Sequence, residues 1–271
     1  MRVGMIGNEN RTPYIKAYLE RSGAEVISIE HNNLDQIGAC KALVFPVPVL
    51  ESNGCIKGCR EDMTASQVLG RVRRGCVLYG GNFPDEWRFY ARRQGIILRD
   101  FLQMEEVREQ NGAMTAQGCL MEAIQESRAS AAGRRCLVIG YGCCGRHMAR
   151  ILQGAGACVR VWDTDRTRRE QASKNGFETV QSIEAQNGES EWIPEWIFHM
   201  ADRRTMDYGS LQRCAKETLI VDITTGGGCD MAAAEKLGVH VLSCPGLPGK
   251  WMPRSGGDLF GGIIVAGGVR V

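Results

Sequence analysis

The feature that most constrains this fold is the stretch at residues 135–145, in which a short apolar run leads straight into a glycine-rich turn. The run reads R-C-L-V-I-G-Y-G-C-C-G, with glycines at Gly140, Gly142 and Gly145 in the spacing G-x-G-x-x-G. A brief, continuously apolar run is typical of a strand buried in a parallel sheet. The sequence therefore predicts a strand, a tight turn and then a helix over residues 146–154.

Each of these glycines has a separate task in a dinucleotide-binding turn. The first allows the tight turn, the second lets the backbone approach a pyrophosphate, and the third lets the helix pack closely on the strand. A second predicted strand, residues 159–162, is followed by Asp163, which lies 23 residues after Gly140. An acid at roughly this offset of about 20 residues binds a ribose hydroxyl. A glycine turn that binds no ligand is the alternative interpretation.

Length and charge limit the classes of protein that need to be considered. A chain of 271 residues exceeds the usual single-domain size, so two domains are expected. The formal charge of +2 gives no field that favours nucleic acid or a membrane surface as a partner. The sequence shows no apolar run of about 18 residues and no signal-peptide pattern, which predicts a cytoplasmic protein.

The 12 cysteines are scattered along the chain rather than arranged as a disulfide or metal framework. No C-x-x-C is present and only four histidines are available, so no metal site is expected. The adjacent Cys143 and Cys144 fall where the pyrophosphate is predicted to bind. We interpret them as tolerated small residues rather than as a redox centre.

Strand-like and helix-like patterns alternate along the chain, which predicts an α/β protein with two Rossmann-like or flavodoxin-like parallel-sheet domains. We expect an N-terminal α/β domain at residues 1–110, a connecting helix at 111–132, a dinucleotide-binding Rossmann domain at 133–243, and a C-terminal segment at 244–271 that returns toward the N-terminal domain. The loops at 7–11, 46–48 and 80–83 follow strands and are expected to face one cleft.

Turn and cap signals predict several local features. Asn111 and Gly112 predict a turn, followed by a helix over residues 114–130 with Thr115 as a cap near its start. Residues 245–250 predict a rigid turn, and residues 186–195 a polar loop. The glycines within residues 258–264 predict a broken segment rather than a long final helix, and residues 267–271 an altered or truncated terminus.

Motifs along nearly the whole chain resemble those of one family in endospore-forming bacteria, the A subunits of dipicolinate synthase. M-I-G-N-E-N-R at 5–11 is similar to the family opening V-I-G-G-D-A-R, and N-G-A-M-T-A-Q-G at 111–118 is similar to N-S-I-P-T-[AV]-E-G. Residues 222–230 and the C-P-G-L-P-G-K of 244–250 resemble D-L-A-S-x-P-G-G-T-D and A-P-G-L-P-G. The order of these motifs is more specific than the glycine turn alone.

The resemblance implies an NAD- or NADP-dependent dehydrogenase that converts a dihydrodicarboxylate into pyridine-2,6-dicarboxylate during sporulation. It also implies a partner, the flavoprotein-like B subunit of the synthase, together with a homo-oligomeric state and a location in the mother-cell cytoplasm. The predicted cofactor-binding residues are Gly140, Tyr141, Gly142, Cys143, Cys144, Gly145, Arg146, Asp163, Thr164, Arg166, Thr224, Thr225 and Gly226. The predicted substrate-binding residues are Thr115, Gln117, Gly118, Gly246, Leu247, Pro248, Gly249 and Lys250, with Arg254 as a further charged candidate.

The chain departs from the family pattern at several positions. The family has N-T-[IV]-P where this chain has residues 199–202, H-M-A-D, so His199 is a weak candidate for a proton carrier, with a surface or capping histidine as the alternative. Asp163 favours NAD, although Arg166, Arg168 and Arg169 offer charge for a 2′-phosphate. Two other functions are left open, a nucleotide-binding subunit without catalysis and a D-2-hydroxyacid-dehydrogenase-like oxidoreductase. The latter normally needs a late histidine, and none follows His240.

Overall fold

A computed structural model describes residues 1–60, 63–181 and 192–268. The strands are β1 Arg2–Ile6, β2 Glu25–Ile29, β3 Ala42–Val44, β4 Val77–Gly80, β5 Ile97–Asp100, β6 Arg135–Ile139, β7 Cys158–Trp162, β8 Glu178–Thr179, β9 Trp196–His199, β10 Leu219–Asp222 and β11 His240–Ser243. The helices are α1 Thr12–Arg21, α2 Ala65–Leu69, α3 Asp85–Gln94, α4 Glu105–Ser127, α5 Cys143–Gly154, α6 Arg166–Lys174, α7 Tyr208–Gln212, α8 Met231–Leu237, α9 Leu247–Trp251 and α10 Pro253–Ala266. Residues 186–191 of the predicted polar loop and 269–271 of the predicted altered terminus lie outside the described residues.

The chain forms two compact units, each built on its own parallel sheet. The first unit contains residues 1–108 together with the segment that begins at Met252, and the second contains Glu109–Trp251. All strand pairings between the named strands are parallel. The predicted fold class of two parallel-sheet α/β domains is confirmed.

The second unit has the strand order β11-β10-β9-β6-β7-β8. This is the Rossmann order, in which the direction of strand addition reverses between the first and fourth strands of the domain, here β6 and β9. Ile139, the last residue of β6, pairs with Trp162 on one side and with His199 on the other. The carboxyl ends of β6, β7 and β9 are therefore level, and the loops that follow them surround the crevice where such sheets bind ligands.

The first unit has the order β2-β1-β3-β4-β5, which is the flavodoxin-like arrangement. The three loops predicted to face one cleft do lie together, but they bond to one another. Arg11 donates from Nη2 to the Val47 carbonyl at 3.1 Å and forms a buried ion pair with Glu9 at 2.6 Å. The Val49 amide donates to the Gly81 carbonyl at 2.9 Å. These contacts tie the three loops to one another.

Helix α4 corrects the prediction of a turn at Asn111 and Gly112, because the helix begins at Glu105 and continues through both residues. Thr115 is consequently an interior residue and not a cap. Its hydroxyl donates to the carbonyl of Asn111 at 2.7 Å, one turn earlier in the same helix. The glycine is tolerated because α5 packs against it, so that a Cβ at Gly112 would lie 2.7 Å from the Cys143 Sγ atom.

Two further predictions for the C-terminal region were wrong. Residues 247–251 form the short helix α9 instead of a rigid turn, and the glycine-containing tail forms the continuous helix α10. The tail stays helical because its glycines allow α10 to approach α1 closely. A Cβ at Gly257 would lie 2.5 Å from the Cβ of Tyr14, and one at Gly261 would lie 2.7 Å from the Cβ of Tyr18. Close packing offsets the low helix propensity of these residues.

None of the helices in residues 1–60, 63–181 and 192–268 is long and apolar enough to cross a membrane.

Candidate dinucleotide-binding site

The glycine turn follows β6 as predicted, and two of its glycines are required by the fold itself. Gly140 has φ of +92°, and a Cβ there would lie 2.9 Å from the amide nitrogen of Ala201 in the loop after β9. A Cβ at Gly145 would collide with the carbonyl oxygen of Gly140. Side chains at either position would therefore distort the turn even without a ligand.

Gly142 differs from the other two glycines because the fold leaves it room. Its φ of −74° and ψ of −160° are accessible to any residue. The nearest atom to a Cβ at this position is Nη1 of Arg168 at 3.9 Å. The absence of a side chain at Gly142 thus leaves an open approach to the start of α5.

The start of α5 has the properties of an anion-binding site. The first amides of a helix have no intrahelical acceptor, and the helix dipole adds positive potential at this end. The N-cap residue of α5 is Gly142, which has no side chain that could cap the helix. The open approach at Gly142 and the positive end of α5 together fit a pyrophosphate group.

The side chains within the turn mostly face the protein. Tyr141 is 1% exposed, and its hydroxyl accepts a hydrogen bond from Asn175 Nδ2 at 3.0 Å, so its side chain faces the protein. Burial raises the pKa of Cys143 to about 11 and also raises the pKa of Cys144. Both residues are therefore neutral thiols near pH 7, and neither has the depressed pKa of a reactive cysteine.

Asp163 lies at the end of β7 and holds the glycine turn from below. It is 3% exposed; its Oδ2 atom accepts from the Tyr141 amide at 2.6 Å and its Oδ1 atom accepts from the Asp165 amide at 2.8 Å. Nη1 of Arg168 lies 3.6 Å from Oδ2. The acid predicted to bind a ribose therefore sits beside the turn and also fixes its backbone.

The other polar residues after β7 are engaged locally. Thr164 is exposed, and Arg166 pairs with Glu170 at 2.9 Å on the surface of α6. Arg169 donates to the backbone carbonyls of Asp163 and Thr164. Arg168 is the arginine of this group whose guanidinium reaches the space next to Gly142.

His199 is completely buried, which contradicts the interpretation of a surface or capping histidine. Its Nε2 atom lies 2.7 Å from the Thr205 hydroxyl, and its Nδ1 atom lies 3.4 Å from Oδ1 of Asp222. Gly228 packs directly on the imidazole, where a Cβ would collide with the ring. The sequence could not reveal this burial, since it depends on a glycine 29 positions further along the chain.

Asp222 organises the loop that contains Thr224, Thr225 and Gly226. Its carboxylate accepts from the amides of Thr224 at 3.0 Å, Gly228 at 2.9 Å and Cys229 at 3.1 Å. Burial alone would raise the pKa of Asp222, but His199 and the hydrogen bonds from Thr224 lower it to about 2. The loop is thus tied to β9 and β10, with Thr225 and Gly226 left exposed.

The lowered pKa of Asp222 predicts an acid-sensitive contribution to stability. Because the pKa is about 2 in the folded protein and ordinarily 3.8, the contribution is complete above pH 3.8 and is lost as the pH falls toward 2. The expected loss is about 2 kcal/mol. Urea unfolding across this pH range measures it. An Asp222→Asn variant should lack this component, and an equally steep acid loss in that variant would contradict the assignment.

The predicted substrate residues belong to two segments that meet in the second unit. A Cβ at Gly118 in α4 would lie 2.8 Å from the Cβ of Leu247 in α9. Glu122 of α4 accepts from Lys250 Nζ and, at 2.7 Å, from Trp251 Nε1. Among the remaining candidates, Pro248 is buried, Gly249 is half-buried, and Gln117 and Gly246 are exposed. Arg254, which belongs to the first unit, pairs with Asp258 at 3.9 Å.

The Rossmann strand order and the glycine turn at its switch point define a dinucleotide-binding domain of the dehydrogenase type. The sequence profile described as "D-isomer specific 2-hydroxyacid dehydrogenase, NAD binding domain" matches residues 99–237, which is more than half of the chain. The chain belongs to this family. It is an NAD(P)-dependent oxidoreductase by class, as the sequence predicted.

Comparison over the full length confirms the resemblance drawn from the motifs. The chain is 23% identical to the A subunit of dipicolinate synthase from Bacillus subtilis (strain 168) over 288 aligned positions, covering 97% of this chain and 94% of that protein. The crystal structure of the A subunit of dipicolinate synthase from Bacillus halodurans has a TM-score of 0.85 at 22% identity, covering 98% of this chain and 96% of the other. Salmonella D-lactate dehydrogenase has a TM-score of 0.67 at 15% identity, with 97% and 96% coverage. At these identities the structural likeness establishes the fold.

Proposed function

We propose that this protein oxidises a dihydropyridine dicarboxylate to pyridine-2,6-dicarboxylate (dipicolinate), using NAD(P) bound at the glycine turn. The observation that carries the proposal is the contact between two motifs. Residues 111–118 and 244–250, which carry the resemblance to the A subunit of dipicolinate synthase, are far apart in sequence, yet Gly118 packs on Leu247. If both motifs line one binding site, this explains why both of them resemble the motifs of the A subunit.

The first of these motifs also reaches the glycine turn. The Thr115 hydroxyl contacts the Cys144 thiol in the first turn of α5. Thr115 is 6% exposed and its proton is donated within α4, so we assign it a positioning role rather than direct contact with substrate. Among the uncharged predicted substrate residues, the exposed groups that could meet a dicarboxylate are the amide side chain of Gln117 and the backbone at Gly246.

Lys250 is the cation within these two motifs, and its charge is balanced by Glu122. Both Lys250 and Glu122 also contact the indole of Trp251. A balanced pair of this kind orients the α9 segment more than it attracts a dianion. We infer that backbone and amide donors hold the carboxylates, and that Lys250 contributes through position.

The nicotinamide, when bound, supplies the hydride acceptor for the oxidation. The protein contributes orientation, because the turn at Gly142 and the start of α5 anchor the pyrophosphate and so fix where the rest of the nucleotide lies. His199 holds the loops after β9 and β10 and does not face solvent, so it acts as a positioning residue. We assign no general base.

We infer that NAD is preferred over NADP. The carboxylate of Asp163 repels a 2′-phosphate, Arg166 and Arg169 are engaged locally, and Arg168 is partly neutralised by Asp163. NAD should bind at least about tenfold more tightly than NADP, a difference of about 1.4 kcal/mol. Competitive titration of nicotinamide fluorescence measures both affinities.

The matched control for cofactor choice is Arg168→Gln. If Asp163 sets the preference, this variant should retain NAD affinity within about threefold and weaken NADP further. Tighter binding of NADP than of NAD by the unmodified protein would contradict the inference.

The relatives suggest the partner and setting. Since the relatives are named for the A subunit of dipicolinate synthase, we propose that this chain works with a flavoprotein-like B subunit, in homo-oligomeric form, in the cytoplasm of a sporulating cell. The test mixes the purified chain with the dihydropyridine dicarboxylate, each nicotinamide cofactor, and the partner protein present or absent. Growth of the pyridine-dicarboxylate absorbance that requires both chain and cofactor supports the proposal. Cofactor binding with no product under any of these conditions overturns it.

An oxidoreductase acting on a D-2-hydroxyacid is the second candidate, favoured by the family to which the chain belongs. That chemistry normally requires a late histidine as the acid, and the sequence has none after His240. The same assay, run with a panel of 2-hydroxyacids and 2-oxoacids, separates the two candidates. Turnover of a hydroxyacid without oxidation of the dihydropyridine would favour the second.

A further inference from the structure

Three side chains of different ligand types meet where α4 crosses the start of α5. Glu109 comes from α4, while Cys143 and His147 are one turn apart on α5, and their ligand atoms all lie within 4.8 Å of one another. Residues four apart on a helix share a face, which explains why Cys143 and His147 lie together. Glu109 is brought to the same place by the contact between the helices.

Gly112 makes this approach possible. It lies three residues after Glu109 and thus on the same side of α4. A Cβ at Gly112 would lie 2.7 Å from Cys143 Sγ and 3.3 Å from His147 Cδ2. The absence of a side chain there lets α5 lie close enough for the carboxylate to meet the thiol and the imidazole.

The carboxylate of Glu109 is already oriented. Its Oε1 atom accepts from Arg146 Nη2 at 2.7 Å, and its Oε2 atom lies 3.1 Å from His147 Nε2. Bonds of about 2.0–2.3 Å to a tetrahedral ion place the ligand atoms roughly 3.3–3.8 Å apart, so closure from the present spacing requires movements of about 1 Å. The side chains of Glu109 and His147 are 45% and 25% exposed, which leaves an entry path for an ion.

We propose that Glu109, Cys143 and His147 form a binding site for a single borderline-soft divalent cation, of which Zn²⁺ is the natural occupant. A thiolate, an imidazole and a carboxylate are the ligands that zinc takes, and three protein ligands leave a fourth position for water. The thiolate and the carboxylate together balance the charge of the ion, so the occupied site adds no net positive charge to the positive end of α5. Arg146 holds the outer oxygen of the carboxylate, as outer-shell partners of metal ligands do.

This site is distinct from the substrate residues and does not depend on the identity of the substrate. The proposal also departs from the expectation, drawn from the sequence, that the protein has no metal site. That expectation rested on local spacing, whereas the site joins residues 34 positions apart through tertiary contact.

The test measures Zn²⁺ affinity of the full-length, reduced, metal-free chain by competition with a chromophoric chelator, without nucleotide. We expect one equivalent of Zn²⁺ to bind with a dissociation constant below about 1 μM, which corresponds to a binding free energy of about −8 kcal/mol. Cys143→Ser and His147→Gln should each weaken binding by at least about 100-fold. Co²⁺ in place of Zn²⁺ should give a thiolate-to-cobalt charge-transfer band in the unmodified protein and in Cys144→Ser, and lose it in Cys143→Ser.

The matched control for the histidine is His240→Gln. His240 lies 3.2 Å from Glu126, a comparable histidine–carboxylate pair for which the described residues offer no third ligand. Zn²⁺ affinity should be unchanged in this variant and in Cys144→Ser. Circular dichroism without metal checks that each variant is folded, and should Cys143→Ser fail to fold, His147→Gln and the Co²⁺ spectrum of the unmodified protein decide. Affinity weaker than about 10 μM, a Co²⁺ spectrum without the charge-transfer band, or equal affinity in a folded Cys143→Ser or His147→Gln variant would overturn the proposal.

Discussion

Replacing Gly142 with valine should abolish NAD(P) binding while leaving the chain folded. In the ligand-free fold a Cβ at this position meets nothing closer than Arg168 Nη1 at 3.9 Å, and φ is −74°. The valine methyl groups would occupy the space through which a pyrophosphate approaches the first amides of α5. Affinity should fall by at least about 100-fold, or about 3 kcal/mol, in a nicotinamide fluorescence titration.

Gly154→Ala is the control for this substitution. Gly154 ends the same helix, and a Cβ there meets no atom within 4 Å, so the variant should bind cofactor normally. The far-ultraviolet circular dichroism and the unfolding midpoint of Gly142→Val should match those of the unmodified protein. A folded Gly142→Val variant with unchanged cofactor affinity would show that the pyrophosphate lies elsewhere.

Replacing Asp222 with asparagine should destabilise the protein by about 3 kcal/mol at neutral pH. Both carboxylate oxygens accept backbone amides, Oδ1 from Thr224 and Oδ2 from Gly228 and Cys229, and the group also faces the buried His199. An asparagine side chain has one acceptor oxygen, and its NH₂ group would face backbone donors or the imidazole. The free energy of unfolding, from urea denaturation, measures the effect.

Asp230→Asn provides the same chemical change in the same region. Asp230 caps α8 by accepting from the Ala233 amide at 3.0 Å, and asparagine is an equally good cap. This variant should lose less than about 0.5 kcal/mol. Equal losses in the two variants would mean that Asp222 has no special role in holding the loops after β9 and β10.

The sequence predicted those parts of the structure whose cause is local. The strand, turn and helix at the glycine motif follow from an apolar run and from glycines with separate steric tasks, and Gly140 and Gly145 are required as expected. The alternation of strands and helices predicted parallel sheets, because such sheets need covering helices on both faces. These features depend on residues close together in the chain.

The sequence failed where a contact between distant segments decides the local structure. Asn111 and Gly112 have turn chemistry, but α4 continues through both residues, with Gly112 packed against Cys143. The glycines of α10 suggested a break, and their contacts with Tyr14 and Tyr18 stabilise the helix instead. The burial of His199 depends on Gly228 for the same reason.

Asp163 has a structural role in the fold and a proposed role in binding the ribose. Its carboxylate accepts the Tyr141 amide within the glycine turn, so it stabilises the turn before any ligand is present. The same carboxylate lies at the end of β7, where such an acid meets a ribose. If the nucleotide binds at this turn as proposed, the bond from Tyr141 to Asp163 reduces the entropy cost of binding, because the turn is ordered beforehand.

Binding of the dinucleotide at the glycine turn is tested most directly by a crystal structure of the protein saturated with nicotinamide dinucleotide. We predict pyrophosphate oxygens within about 2.7–3.2 Å of the amide nitrogens of Cys143 or Cys144, beside Gly142, and the adenosine ribose next to Asp163. Nucleotide density away from the start of α5, under conditions that saturate binding in solution, would contradict cofactor binding at the glycine turn.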